Sequence, residues 1–122
     1  MQSKRILIVD DDVLNRELLQ TVLTRSGYRI SHANSGTAAI TSVNTDPPDL
    51  ILLDVRMVGM SGYDACQHLK SQTHTRQIPI IMLTAYDNAE ERENARLAGA
   101  DEFFPKMNGW QQLIQRIQAL LD

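Results

Sequence analysis

The run Ile6-Leu7-Ile8-Val9 passes directly into Asp10-Asp11-Asp12, and this junction constrains the fold more than any other stretch of the chain. Four aliphatic residues without polar alternation read as a strand buried on both faces. Carboxylates at its exit sit at the rim of a core, where charge is costly unless something positive is near. The arrangement recurs at Leu50-Ile51-Leu52-Leu53-Asp54, and a variant ends in a hydroxyl at Ile80-Ile81-Met82-Leu83-Thr84. Polar groups at the ends of several buried strands point to one shared site.

Between these runs the periodicity changes to that of helices. Leu14, Leu18, Val22 and Leu23 follow at helical spacing, and Gly27 closes that helix. Tyr28 to Ala33 alternates weakly and reads as an edge strand. Ser35 begins a short helix that Asp46-Pro47-Pro48 stops. Ser61 with Asp64 reads as a capping box for the helix carrying Ala65, Cys66 and Leu69. Thr73 to Gln77 is a polar loop, and Ile78 to Leu83 is the fourth strand. Asp87-Asn88 caps a charged helix that ends before Gly99. Phe103-Phe104 is a short fifth strand, and Pro105 suits an edge. Asn108 is expected to cap the last helix, whose Trp110, Leu113, Ile114, Ile117, Leu120 and Leu121 form one apolar stripe.

Five strand–helix units predict a single α/β domain over residues 1–122, a doubly wound parallel sheet with helices on both faces. Such sheets bind ligands outside the carboxyl ends of the strands, at the switch point. Asp10, Asp11, Asp54 and Thr84 lie at those ends, and Lys106 lies just past the fifth run. The remaining composition excludes several classes. A net charge of −3 argues against general nucleic-acid binding. No apolar run approaches the roughly 20 residues of a membrane span, and the N-terminus has no signal-peptide core. The single Cys66 rules out an internal disulfide and fits a reducing, cytoplasmic setting. His32, His68 and His74 lie in different elements without ligand spacing.

If Asp11 and Asp54 face each other at about 5 Å, their repulsion at an effective dielectric near 20 is roughly 3 kcal/mol. Such a site raises a carboxylate pKa or recruits a cation. Oxygen-only ligands at an open rim favour Mg²⁺ over Zn²⁺. A metal-flanked carboxylate can attack phosphorus and become an aspartyl phosphate. Mg²⁺, the Lys106 ammonium and the Thr84 hydroxyl would then serve the phosphoryl oxygens.

These residues carry a resemblance. The chain resembles the receiver domains of two-component response regulators through Val9-Asp10-Asp11, Leu53-Asp54-Val55-Arg56-Met57, Gly59-Met60-Ser61-Gly62, Leu83-Thr84-Ala85, Gly99-Ala100-Asp101, and Phe103 followed by Lys106. Each piece is weak alone; all of them in order are highly specific, and they span Ile6 through Leu121. The resemblance implies a flavodoxin-like fold with five strands in the order 2-1-3-4-5 and five helices. It implies Asp54 as phosphoacceptor, and Asp11, Asp10 (through water), Asp54 and the Arg56 carbonyl around Mg²⁺. Thr84 and Lys106 would contact the phosphoryl group, and Phe103 would turn inward as Thr84 moves. The expected partners are a histidine kinase or histidine phosphotransfer protein upstream and a protein target or output domain downstream. The latter would dock on the fourth helix, fifth strand and fifth helix. The chain would be no conventional enzyme, although it would catalyse its own phosphorylation and dephosphorylation.

Two positions depart from the family. Val58 stands where proline is usual, and Met107 follows Lys106 where a cis proline is usual. A cis bond to a non-proline costs about 3 kcal/mol, so either the chain bears that strain or the loop is trans and Lys106 enters differently. Arg56 and Tyr86 flank the phosphoryl group in the family, and both are bulky enough to screen attacking water. The charged run of the fourth helix reads first as a solvated face, and Asp12 as the cap of the first helix. Competing readings are a pseudo-receiver that is never phosphorylated, a haloacid-dehalogenase-like phosphohydrolase using the Asp-x-Asp of residues 10–12, and an FMN carrier. The last is disfavoured by the acidic first loop.

Overall fold

The structure, a computed structural model, describes residues 3–122. Along the chain come β1 (Arg5–Val9), α1 (Val13–Arg25), β2 (Arg29–Ala33), α2 (Gly36–Thr45), β3 (Leu50–Asp54) and α3 (Gly62–Lys70). Then follow β4 (Ile80–Thr84), α4 (Ala89–Ala98), β5 (Glu102–Pro105), a 3-10 turn at Lys106–Asn108 and α5 (Trp110–Leu121). The strands form one parallel sheet in the order β2-β1-β3-β4-β5. β1, β3 and β4 are interior, which explains their unbroken aliphatic sequences. The weakly alternating β2 and the proline-ended β5 take the edges, as expected.

Because strand side chains alternate, each interior run feeds two cores. Leu7, Val9, Ile51, Leu53, Ile80 and Met82 pack with Ala39 and Val43 of α2, Ala65, Cys66 and Leu69 of α3, and Ala95 and Ala98 of α4. Ile6, Ile8, Leu50, Leu52, Ile81 and Leu83 pack with Leu19 and Leu23 of α1 and with Leu113 and Ile117 of α5. β1 is thus flanked by β2 on one side and β3 on the other, and the chain reverses its direction of travel across the sheet there. The crevice at that reversal lies at the carboxyl ends of β1 and β3.

Caps fix where the helices start. The side chains of Asp12, Ser35, Ser61 and Asn88 accept from the backbone N–H of Leu14, Ala38, Asp64 and Glu91 at 2.9–3.1 Å. Gly99, at φ 89°, ends α4 in the left-handed region. Two expectations require correction. Asn108 does not cap α5: it belongs to the 3-10 turn, and Gly109 holds the cap position at φ 88° and ψ 158°, with no side-chain bond. That φ is open to glycine and strained for asparagine. The fourth strand begins at Ile80 rather than Ile78, because Pro79 has no N–H for a ladder; the Ile80 N–H donates to Asp101 at 2.8 Å. It also runs one residue further, taking Thr84 into the sheet.

Candidate functional site

Strand register gathers the site. Val9 pairs with Leu53, Asp54 with Leu83, and Thr84 with Pro105, so Asp10, Asp54, Thr84 and Lys106 emerge side by side at one end of the sheet. One carboxylate oxygen from each of Asp10, Asp11 and Asp54 lies within 4.8 Å of the other two. Asp10 and Asp54 are buried, and Asp11 is exposed. Asp10 accepts from the Asp12 N–H at 3.0 Å. Asp11 accepts from the Val58 N–H at 3.0 Å, a bond that a proline at this position could not donate. The Val58 departure thus ties the loop after β3 to the acidic cluster.

Lys106 Nζ lies 2.8 Å from Asp54 Oδ1. No cis peptide occurs among the described residues. The trans 3-10 turn of Lys106–Asn108 therefore delivers the ammonium to the crevice without the cis bond. Burial nevertheless pushes the Asp54 carboxyl above its usual range; the hydrogen bond from Lys106 opposes this, and the Asp10 and Asp11 charges reinforce it. One lysine therefore does not balance three carboxylates. An all-oxygen donor set, partly buried and short of positive charge, fits a hard divalent cation. Asp10, Asp11 and Asp54 are the side chains that would hold it.

Thr84 is buried at the same rim. Its hydroxyl accepts from the Tyr86 N–H at 3.0 Å and donates to the Tyr86 carbonyl at 3.2 Å, so it is turned toward its own loop. Phe103 is half-buried against the α2–α3–α4 core, and the Arg92 guanidinium lies 4.9 Å over its ring. Cys66 is buried with its Sγ 3.5 Å from the Ala98 carbonyl, and burial pushes the thiol up to about 12. It is a packing residue without thiolate character.

The sequence left one cluster unread. Glu91, placed with the solvated charges of α4, is only 6% exposed. Its carboxylate pairs with the Arg56 guanidinium and accepts from the Tyr63 hydroxyl. Arg56 also lies 4.9 Å over the Tyr86 ring. A cleft of about 430 Å³ beside the acidic cluster is lined by Asp11, Arg56, Val58 and Tyr63 among others. Glu91 follows its capping Asn88 by three residues, the spacing of a capping box. That spacing was the available signal, but it does not reveal that the side chain is buried.

The comparisons identify the family and agree with the fold. The family model for the response regulator receiver domain matches residues 6–118, and the chain belongs to that family. It is a receiver domain of the two-component response-regulator type. Response regulator MprA of Mycobacterium leprae is 42% identical over 117 residues, which are 96% of this chain and 50% of MprA. The chain thus spans about half the length of that relative. The receiver domain of a signal transduction histidine kinase from Syntrophus aciditrophicus superposes with a TM-score of 0.92 at 34% identity, covering 98% of this chain and 90% of that one. Response regulator TrrA of Thermotoga maritima, solved in complex with Mg(2+)-BeF, gives a TM-score of 0.87 at 33% identity and covers 97% and 99%.

Proposed function

We propose that Asp54 accepts a phosphoryl group from a phosphohistidine donor and that the acyl phosphate changes partner binding at the α4–β5–α5 face. The observation that carries this is the buried Asp54 carboxylate, within 4.8 Å of Asp10 and Asp11 and 2.8 Å from Lys106. A carboxylate oxygen attacks phosphorus, the P–N bond to the donor imidazole breaks, and the leaving nitrogen keeps the electron pair. Lys106 stands beside the developing negative charge. The Thr84 hydroxyl exchanges its Tyr86 backbone partners for a phosphoryl oxygen, which pulls the β4–α4 loop inward. Asp10, Asp11, Asp54 and the Arg56 carbonyl would hold Mg²⁺, which when bound would neutralise charge on the transferring group. The Mg(2+)-BeF complex of TrrA, a protein of the same fold, supports a divalent cation in this reading by likeness.

Arg56 and Tyr86, the guanidinium lying over the ring, slow hydrolysis by screening water; unchanged acyl phosphate lifetimes in Arg56→Ala and Tyr86→Ala would remove that role. The upstream partner is a histidine kinase or histidine phosphotransfer protein, and the downstream one is a protein target or an output domain. The test uses phosphoramidate, a small donor with a P–N bond. Purified protein should gain one phosphoryl group with Mg²⁺ and none with a chelator, and Asp54→Asn should gain none. Failure of the wild type to label under any divalent cation would favour the pseudo-receiver.

A further inference from the structure

Glu91 and Arg56 make an asymmetric pair. The Glu91 side chain is 8% exposed, whereas the Arg56 side chain is 65% exposed. A buried anion is therefore held by a cation free to leave. Tyr63 on α3 closes the other side, its hydroxyl bonded to the Glu91 carboxylate and 3.2 Å from the Glu91 carbonyl. The triad joins three elements: the loop after β3, α3 and the first turn of α4. A desolvated ion pair is poor evidence for stability, since apolar residues of similar volume often serve as well. Its position suggests another use. Arg56 is two residues beyond Asp54 and lines the same cleft as Asp11. Tyr86, on which its guanidinium rests, is two residues beyond Thr84.

A phosphoryl group on Asp54 would bring new negative charge and several acceptor oxygens within the compass of that side chain. A guanidinium matches phosphate geometry in a two-pronged fashion. The charge of the phosphoryl group and the Glu91 carboxylate then compete for one cation. Withdrawing Arg56 leaves Glu91 desolvated, with Tyr63 and its own helix end for company, so the first turn of α4 must rehydrate it.

We propose that Glu91 is a positioning residue that parks Arg56 away from the phosphoacceptor, and that phosphorylation trades Arg56 from Glu91 to the phosphoryl oxygens, untethering the N-terminus of α4. This rests on the reading of Asp54 as phosphoacceptor and adds the group that answers its modification. The exchange involves no covalent step.

The test is a titration of the full chain with beryllofluoride and Mg²⁺, read by fluorine NMR, in wild type, Glu91→Gln, Arg56→Ala and the double variant. Glu91→Gln keeps the hydrogen bond to Tyr63 but loses the charge that holds Arg56. It should bind beryllofluoride about fivefold or more tightly, the lower end of ordinary coupling between sites. A merely structural Glu91 would give equal or weaker binding. In the Arg56→Ala background the Glu91→Gln gain should vanish. If Arg56→Ala does not fold, the Arg56 side-chain NMR resonance in wild type decides: it should shift on saturation, toward a new environment that Glu91→Gln shares. Equal or weaker binding by Glu91→Gln, a gain that persists without Arg56, or an unmoved Arg56 resonance overturns the proposal alone. No beryllofluoride uptake by wild type overturns it together with the phosphoacceptor reading.

Discussion

Asp54 carries two opposed demands. As the proposed phosphoacceptor it would need to be buried enough to be shielded and ionised enough to attack. Burial raises its folded pKa above the ordinary 3.8, and Lys106 only partly opposes the shift. A carboxyl raised on folding contributes stability that is full below the unfolded pKa and is lost as pH rises through the folded pKa. In metal-free buffer, Asp54→Asn should therefore gain stability over wild type as pH climbs from about 4 toward 7. Urea midpoints across that range check it; a difference independent of pH would contradict the electrostatic reading. Gly62 sets a second residue-level constraint. A Cβ there would sit 2.2 Å from the Asp54 carbonyl oxygen and 2.9 Å from the Val55 Cα. Gly62→Ala should cost about 2–4 kcal/mol in denaturant unfolding, since backbone on both sides must move. A stability like wild type would mean that the start of α3 stands off from β3. Gly62 stands within the Gly59-Met60-Ser61-Gly62 motif, but a close approach between two backbones has no periodicity to betray it.

At the scale of elements, the helix starts were the most legible parts of the chain. Asp12, Ser35, Ser61 and Asn88 all cap as their residue types suggest, because the cap is a local interaction between neighbours in sequence. Asn88→Ala should cost about 1 kcal/mol of global stability, and it should speed amide exchange in the first turn of α4 before elsewhere. Exchange uniform along the chain would argue that the cap does not hold that turn. Asn108 misled for the same local reason: it is a good capping type, but the chain needs a positive φ one residue later, which Gly109 supplies. The fate of Glu91 was not legible. Its neighbours Glu90, Arg92 and Glu93 are charged, and only the docking of α4 against α3 decides which of them is covered. Thr84 ends β4 as its place after the aliphatic run dictates, while the engagement of its hydroxyl with Tyr86 depends on the turn that follows the strand.

Across the whole molecule, three aliphatic runs and their exits were enough to specify a doubly wound sheet, and the strand order follows the resemblance. The order matters to function because β1 and β3 are neighbours only when the chain reverses at β1. That adjacency brings residues separated by more than 40 positions to one crevice. Acid crowding there is a standing cost to the metal-free fold. A cation that binds the native state alone stabilises it by mass action. Millimolar Mg²⁺ should therefore raise the Tm of wild type by a few degrees, and Asp11→Asn should remove most of that response. The same variant should be slightly more stable than wild type in chelator, by about 0.5–1 kcal/mol after solvent screening of the exposed Asp11. A Tm indifferent to Mg²⁺ in wild type would separate the acidic cluster from metal binding. Among the described residues no helix is long and apolar enough to cross a membrane.

The most direct measurement is the location of the transferred phosphoryl group. Protein treated with phosphoramidate and Mg²⁺ is reduced with borohydride, which traps an acyl phosphate at its residue, and its peptides are mapped by mass. The account predicts a trapped residue at Asp54 and nowhere else, absent when Mg²⁺ is chelated. A trapped residue at Asp10 or Asp11, or trapping indifferent to the metal, would contradict it.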